Sequence, residues 1–161
     1  MAIKSRIRSI PDYPKPGIIF RDITTLLQDP VGFRVTVEGL VQHFQAGRID
    51  KVAGVEARGF IPVRKKGKLP WQTIGQDYAL EYGTDRVEIH TDAILEGERV
   101  LLIDDLIATG GTAAAAIELI RQTGGKIAGA AFVIDLPDLG GRKRIEGMGV
   151  DIVALCAFEG H

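Results

Sequence analysis

Apolar residues follow two rhythms along this chain. Short runs with little polar alternation at 51–55, 100–103, 127–134 and 152–157 predict strands buried on both faces of a parallel sheet. A helical rhythm intervenes. Phe33, Val37, Leu40, Val41 and Phe44 make a stripe that Asp29 caps, Pro30 opens and Gly47 closes, and its apolar side is expected to face the core. The Ala run 113–116, continued by Ile117, Leu119 and Ile120, predicts a second helix ending at Gly124-Gly125. Ile3, Ile7 and Ile10 predict a short amphipathic helix, and residues 142–147 a short surface helix. Pro14, Pro16 and Gly17 impose an irregular loop before Phe20-Arg21-Asp22, where the Arg and Asp could pair with one another. Val87, Ile89 and Thr91 alternate as a half-exposed strand. The polar and aromatic stretch 71–82 before them reads as a loop able to close over a site.

Strands alternating with helices predict an α/β fold with a mainly parallel sheet flanked by helices. A chain of 161 residues that is 45% apolar supports one domain over 1–161. Net charge is −1, which speaks against a nucleic-acid partner. Cys156 is the single cysteine and sits in an apolar run, as a buried structural thiol would. With no leader-like segment and no membrane-length apolar stretch, the expected location is the cytoplasm, with no membrane partner. His43 and His90 lack partners at ligand spacing and read as surface residues.

The chemistry concentrates in Val100 to Thr112, VLLIDDLIATGGT. Asp104 and Asp105 follow where the apolar strand is expected to end, and carboxylates are poor strand formers that are costly to bury. The stretch from Ala108 through Thr109, Gly110, Gly111 and Thr112 then leads into a helix. Strand, glycine loop and helix N-terminus together make an anion site, because free N–H groups and the helix dipole converge where glycine lets a phosphate approach. The pattern is neither GxxxxGK[ST] nor GxGxxG. Carboxylates beside a phosphate loop suit a sugar phosphate, whose vicinal hydroxyls they can accept. Two further segments remain open on their residues alone. Glu56-Ala57-Arg58-Gly59 follows a predicted strand, where ligands bind in parallel sheets, although a surface turn fits as well. Arg64-Lys65-Lys66-Gly67-Lys68 is a basic run of the kind usually found on solvated surfaces.

Four hydrophobics, two acids and a closing TGGT resemble the 5-phosphoribosyl-1-pyrophosphate (PRPP) signature of the type I phosphoribosyltransferases. YPKPGIIFRD, EARG, RKKGKLP and YALEYG are similar to segments of the adenine-specific branch of that family. The resemblance implies the family fold with a small N-terminal hood at about 1–28. It also implies transfer of phosphoribose from PRPP to adenine, giving AMP and pyrophosphate in purine salvage. By it, Asp104 and Asp105 hold the ribose hydroxyls, and Ala108 to Thr112 the 5′-phosphate. Phe20 stacks on the base, Leu136 closes it from the other side, and backbone around Arg21 reads its edge. Glu56, Ala57, Arg58, Arg64, Lys65 and Lys68 bind the pyrophosphate, while Glu81 and Tyr82 stand at the reaction centre with Glu81 as the acid. Mg²⁺ held mainly by substrate, with no dedicated metal ligands, and a homodimer are implied as well. The signature is silent on the base, so a phosphoribosyltransferase for another base such as xanthine stays open, as does a PRPP-binding regulator without catalysis.

The chain departs from the family at Phe60–Ile61, where a helix and the start of a strand are expected. Neighbouring parallel strands need a crossover of about a dozen residues or more. Either residues are missing there, which is the expectation, or the sheet is wired differently.

Overall fold

The apolar runs lie side by side in one seven-stranded sheet in the computed structural model, which describes residues 3–55, 61–79 and 83–160. The elements are β1 (Arg8–Pro11), β2 (Ile19–Asp22), α1 (Thr24–Gln28), α2 (Pro30–Phe44), β3 (Lys51–Val55), β4 (Ile61–Lys65), β5 (Thr73–Ala79), β6 (Thr84–His90), β7 (Arg99–Ile107), α3 (Gly111–Gln122), β8 (Lys126–Asp135), α4 (Gly141–Glu146) and β9 (Ile152–Ala157). Sheet order is β5-β6-β4-β3-β7-β8-β9, and β1-β2 form a separate antiparallel pair. The pairs β4-β3, β3-β7, β7-β8 and β8-β9 are parallel, while β5-β6 and β6-β4 are antiparallel. Since β3 and β4 are parallel neighbours, the alternative of a differently wired sheet falls; the residues joining them, 56–60, lie outside those described.

Alternation along β7 and β8 divides the core. Val100, Leu102, Ala130 and Phe132 face α3, whose Ala113 to Ala116, Ile117, Leu119 and Ile120 are all buried against the sheet. Leu101 and Ala131 face the other way and meet Leu40 of α2. A third cluster joins Ile7, Leu26 and Phe158 beneath β1 and β2.

Four expectations are corrected. Ile3 to Ile10 is not a helix: a 3-10 turn, Ile3–Arg6, gives way to β1, which β2 pairs and an Arg8–Asp22 ion pair clamps. The α2 stripe is core only in part: Leu40 and Phe44 pack on the sheet, and the rest of it does not. Phe33, Val37 and Val41 are 50%, 43% and 53% exposed, and the buried positions are Gly32, Thr36 and Leu40. Small residues decided this, since a Cβ on Gly32 would stand 2.9 Å from Leu26 and one on Gly39 3.2 Å from Leu155, so the helix docks through its glycines and turns its bulk outward. Residues 73–79 form the edge strand β5 rather than a loop, paired with β6 from Thr73↔His90 to Ala79↔Thr84. Phe20, Arg21 and Asp22 likewise lie in strand β2, and Asp22 pairs with Arg8 while Arg21 bonds Ser9.

Candidate active site

β7 does not stop before the acids. It runs to Ile107 because β8 keeps pairing with it as far as Ile107↔Asp135, whereas β3 pairs only up to Ile103. Asp104 and Asp105 therefore sit on strand backbone with a neighbour on one side alone, which supplies strand geometry without enclosing both carboxylates. Successive strand residues point to opposite faces. Asp104 turns to the α3 face and borders the glycine loop; Asp105 turns to the α2 face and is exposed. Asp104 also accepts the backbone N–H of Asp105 at 3.0 Å.

Ala108 to Gly111 swing from β7 into α3 around a small cavity of about 170 Å³ lined by Asp104 and residues 106–113. Gly110 caps α3 with φ 74°, a left-handed conformation that costs a residue with a Cβ about 1–2 kcal/mol. The Ala114 N–H reaches back to Gly110 O at 2.9 Å. The first-turn N–H groups of Gly111, Thr112 and Ala113 have no intrahelical acceptor, and with the Thr109 and Thr112 hydroxyls they make the donor set of an anion cradle.

Sequence reasoning gave no role to Gly141, which braces this loop. Its N–H donates to Ala108 O at 2.9 Å, and a Cβ there would stand 2.3 Å from that oxygen and 2.8 Å from Gly110 N. The Gly-Gly pair after 137–139 was visible, but its approach to a loop thirty positions earlier has no local signature.

A larger cavity is lined by residues of α2, β3 and β7 and reaches round to Lys65, Asp104, Asp105 and Thr112. Lys65 Nζ lies 3.1 Å from Asp85 Oδ2, and Tyr78 OH donates to the same carboxylate at 3.3 Å. The Arg86 backbone N–H, followed by Lys65, holds the Asp85 carboxyl below its ordinary range. Arg64 is half-buried on β4, and Lys68 is exposed beyond the Gly67 turn and borders neither cavity.

Phe20 on β2 is 43% exposed and meets Tyr13 edge-on, with ring centroids 5.3 Å apart at 72°. Arg21 donates to Ser9 Oγ at 2.6 Å and lays its guanidinium 4.3 Å over the Phe158 ring. Phe158 is thus a support of the strand that carries Phe20, missed because it lies beyond the last predicted strand. Leu136 packs beside Phe158 and Leu26 while its N–H bonds Ile107 O at 3.0 Å, which ties the end of β8 to the start of the glycine loop. Glu56, Ala57, Arg58, Glu81 and Tyr82 lie outside the described residues.

Residues 26–153 match the phosphoribosyl transferase domain. An adenine phosphoribosyltransferase of Parvibaculum lavamentivorans is 59% identical over 175 aligned positions covering all of both chains. One from Nitrosospira multiformis is 58% identical, again over the whole of both. Among solved structures, adenine phosphoribosyltransferase from Rhodothermus marinus superposes with a TM-score of 0.90 at 47% identity, covering 97% of this chain and 96% of that one. The Saccharomyces cerevisiae enzyme, solved with an imino-altritol bisphosphate and adenine, gives 0.86 at 34% identity, covering 96% of each. With an acid pair on β7 and a glycine-capped helix start joined on one scaffold of this kind, the chain belongs to the phosphoribosyl transferase family, among the adenine phosphoribosyltransferases.

Proposed function

We propose that this chain converts adenine and PRPP to AMP and pyrophosphate in purine salvage, with the glycine loop and acid pair of β7 as the PRPP site. The observation that carries the site assignment is the shared cavity of Asp104 and the Gly110-capped N-terminus of α3: one wall accepts hydroxyl protons, the other donates to phosphate. The 5′-phosphate sits against the Gly111, Thr112 and Ala113 N–H groups. Asp104 and Asp105, which line one cavity, take the ribose hydroxyls.

In the transfer, the bond from the ribose anomeric carbon to pyrophosphate breaks and its electron pair leaves with the pyrophosphate. A bond from a base nitrogen forms at the same carbon, and the proton on that nitrogen is released. The ribose passes through a cationic, oxocarbenium-like state as in glycoside transfer. Fixed carboxylates beside it stabilise the developing charge. Phe20 stacks on the base and Leu136 closes it from the other side. Glu56, Ala57, Arg58, Arg64, Lys65 and Lys68 receive the leaving pyrophosphate, and Glu81, beside Tyr82, is the acid facing the purine.

Mg²⁺ fits this donor set. Carboxylate oxygens of Asp104 and Asp105 are hard donors of the kind it takes, and pyrophosphate, ribose and water would supply most of its ligands. The bound ion would neutralise charge on the leaving group. Residues 1–161 act as one domain with the hood at about 1–28, in a cytoplasmic homodimer. Among the described residues, no helix is long and apolar enough to cross a membrane.

Incubation with PRPP, Mg²⁺ and adenine, guanine, hypoxanthine or xanthine, followed by chromatography of the nucleotides, tests the reading. AMP formed in preference to every other nucleotide is expected; a different nucleotide, or none, overturns it.

A further inference from the structure

Lys65 ends β4, and an acidic partner meets it from the neighbouring strand β6. Val63 and Val87 are buried on the α3 side of the sheet. Lys65 follows Val63 by two positions and Asp85 precedes Val87 by two, so strand alternation turns both toward that same side. The register makes them neighbours. Lys65 stands opposite Val87, which leaves Asp85 on its diagonal, and Lys65 Nζ lies 3.1 Å from Asp85 Oδ2.

Asp85 is itself held in place. Tyr78 stands directly opposite on β5 and donates its hydroxyl to Oδ2 at 3.3 Å, while the Arg86 N–H donates to Oδ1 at 2.8 Å. Tyr78 is 8% exposed, and its ring edge lies 3.3 Å from where a Cβ on Gly111, the first residue of α3, would stand. Ammonium, carboxylate, phenol and helix start thus form one connected series from the basic segment to the glycine loop. Lys65, Tyr78, Asp104 and Thr112 also line one cavity.

Stability does not explain the ion pair. The Lys65 side chain is 60% exposed, and pairs that water reaches contribute little to folding. Its consequence is orientation: an ammonium has three donors, and a fixed carboxylate that takes one leaves two on a lysine whose flexible stem is already directed.

We propose that Asp85, anchored by Tyr78, is a positioning residue that holds the Lys65 ammonium ready for the pyrophosphate group of PRPP. The inference rests on the assignment of Lys65 to pyrophosphate. Asp85 also places a negative charge near a polyanion, a repulsion that alone would make its removal tighten binding. A neutral change separates the two effects, since Tyr78→Phe loosens the carboxylate and leaves every charge in place.

The test is calorimetric titration of the full 161-residue chain with PRPP, pyrophosphate and AMP, each with Mg²⁺; it needs no turnover. Asp85→Asn and Tyr78→Phe are each expected to weaken PRPP and pyrophosphate about 2- to 5-fold, the scale of an exposed ion pair, and to leave AMP unchanged. AMP is the decisive comparison, because it carries no pyrophosphate, whereas a shift of Tyr78 that disturbed α3 would weaken it too. Asp77→Asn removes the same charge from β5, where Asp77 pairs with Arg86, and is expected to leave all three ligands unchanged. In a Lys65→Met background, Asp85→Asn is expected to add nothing, since it acts through that lysine. Unchanged or tighter PRPP binding in Asp85→Asn or Tyr78→Phe, an equal loss for AMP, or additive losses in the double variant overturns the proposal. Those results leave the parent's binding of PRPP and AMP intact, so the proposed function survives them. A Lys65→Met chain that binds pyrophosphate as its parent does refutes the assignment of Lys65, and this inference with it.

Discussion

Replacing Gly141 by Ala sets two effects of opposite sign against each other. Gly141 opens α4, and for a glycine whose only property was to sit in a helix, Ala would add up to about 1 kcal/mol of stability. The added Cβ, however, would stand 2.3 Å from Ala108 O and 2.8 Å from Gly110 N, where ordinary contact begins near 3.4 Å. The loop and α4 must therefore part by about 1 Å, and forcing such an overpacked contact costs about 1–3 kcal/mol. The clash wins, and it displaces the atoms that present the phosphate donors. Losing one charge-assisted hydrogen bond there is worth about 1.5–3 kcal/mol, or roughly 10- to 150-fold in PRPP affinity. Thermal melting and PRPP saturation kinetics at fixed adenine read both consequences: a lower melting temperature and a raised KM for PRPP. Gly140→Ala is the control, because Gly140 has φ 75° with nothing within 4 Å of a Cβ; it should cost about 1–2 kcal/mol of stability and leave KM unchanged. A Gly141→Ala enzyme that is more stable than its parent, with the same KM for PRPP, would refute the reasoning.

Other outcomes are checked as directly. Asp105→Asn should weaken PRPP use by about 1–3 kcal/mol, and unchanged PRPP saturation would sink the ribose assignment. Phe20→Ala should raise KM for adenine more than for PRPP, since base stacking on an aromatic ring is worth about 1–3 kcal/mol; equal losses would mean that the β1-β2 pair had collapsed instead. The Thr24 hydroxyl and Arg8 pull the Asp22 carboxyl down from 3.8 to about 2. A folded-state value lowered in this way gives stability that is fully present above about pH 4 and lost as pH falls toward 2. Melting temperatures across that window should therefore fall less steeply for Asp22→Asn than for the parent, and parallel curves would count against the assignment. Chelating Mg²⁺ should abolish nucleotide formation and adding it back restore it, with the melting temperature of the free protein unmoved by either step; a chelator that lowers the melting temperature would point to a resident metal.

Much of the architecture was legible because its cause is local. The cap at Asp29, which accepts the Val31 N–H at 3.0 Å, the strand β3 at Lys51–Val55 and the strand β9 at Ile152–Ala157 all stand where pattern and propensity put them. The glycine loop between β7 and α3 was legible for the same reason, since a strand, two glycines and a helix start act through neighbouring backbone atoms. The Phe158 support of Arg21 and the Gly141 brace of Ala108 were not, because each joins residues far apart in sequence whose types are unremarkable where they stand.

By itself, the order of residues determined which segments extend, which coil and where an anion could be cradled, for these depend on interactions within a few residues. Tertiary structure alone decided orientation. It carried β7 through its two acids because β8 kept pairing after β3 had stopped, and so sent Asp104 and Asp105 to opposite faces of the sheet. It also docked α2 through Gly32 and Gly39, leaving Phe33, Val37 and Val41 over an open groove, because close approach of backbones favours the smallest side chains wherever the larger ones point.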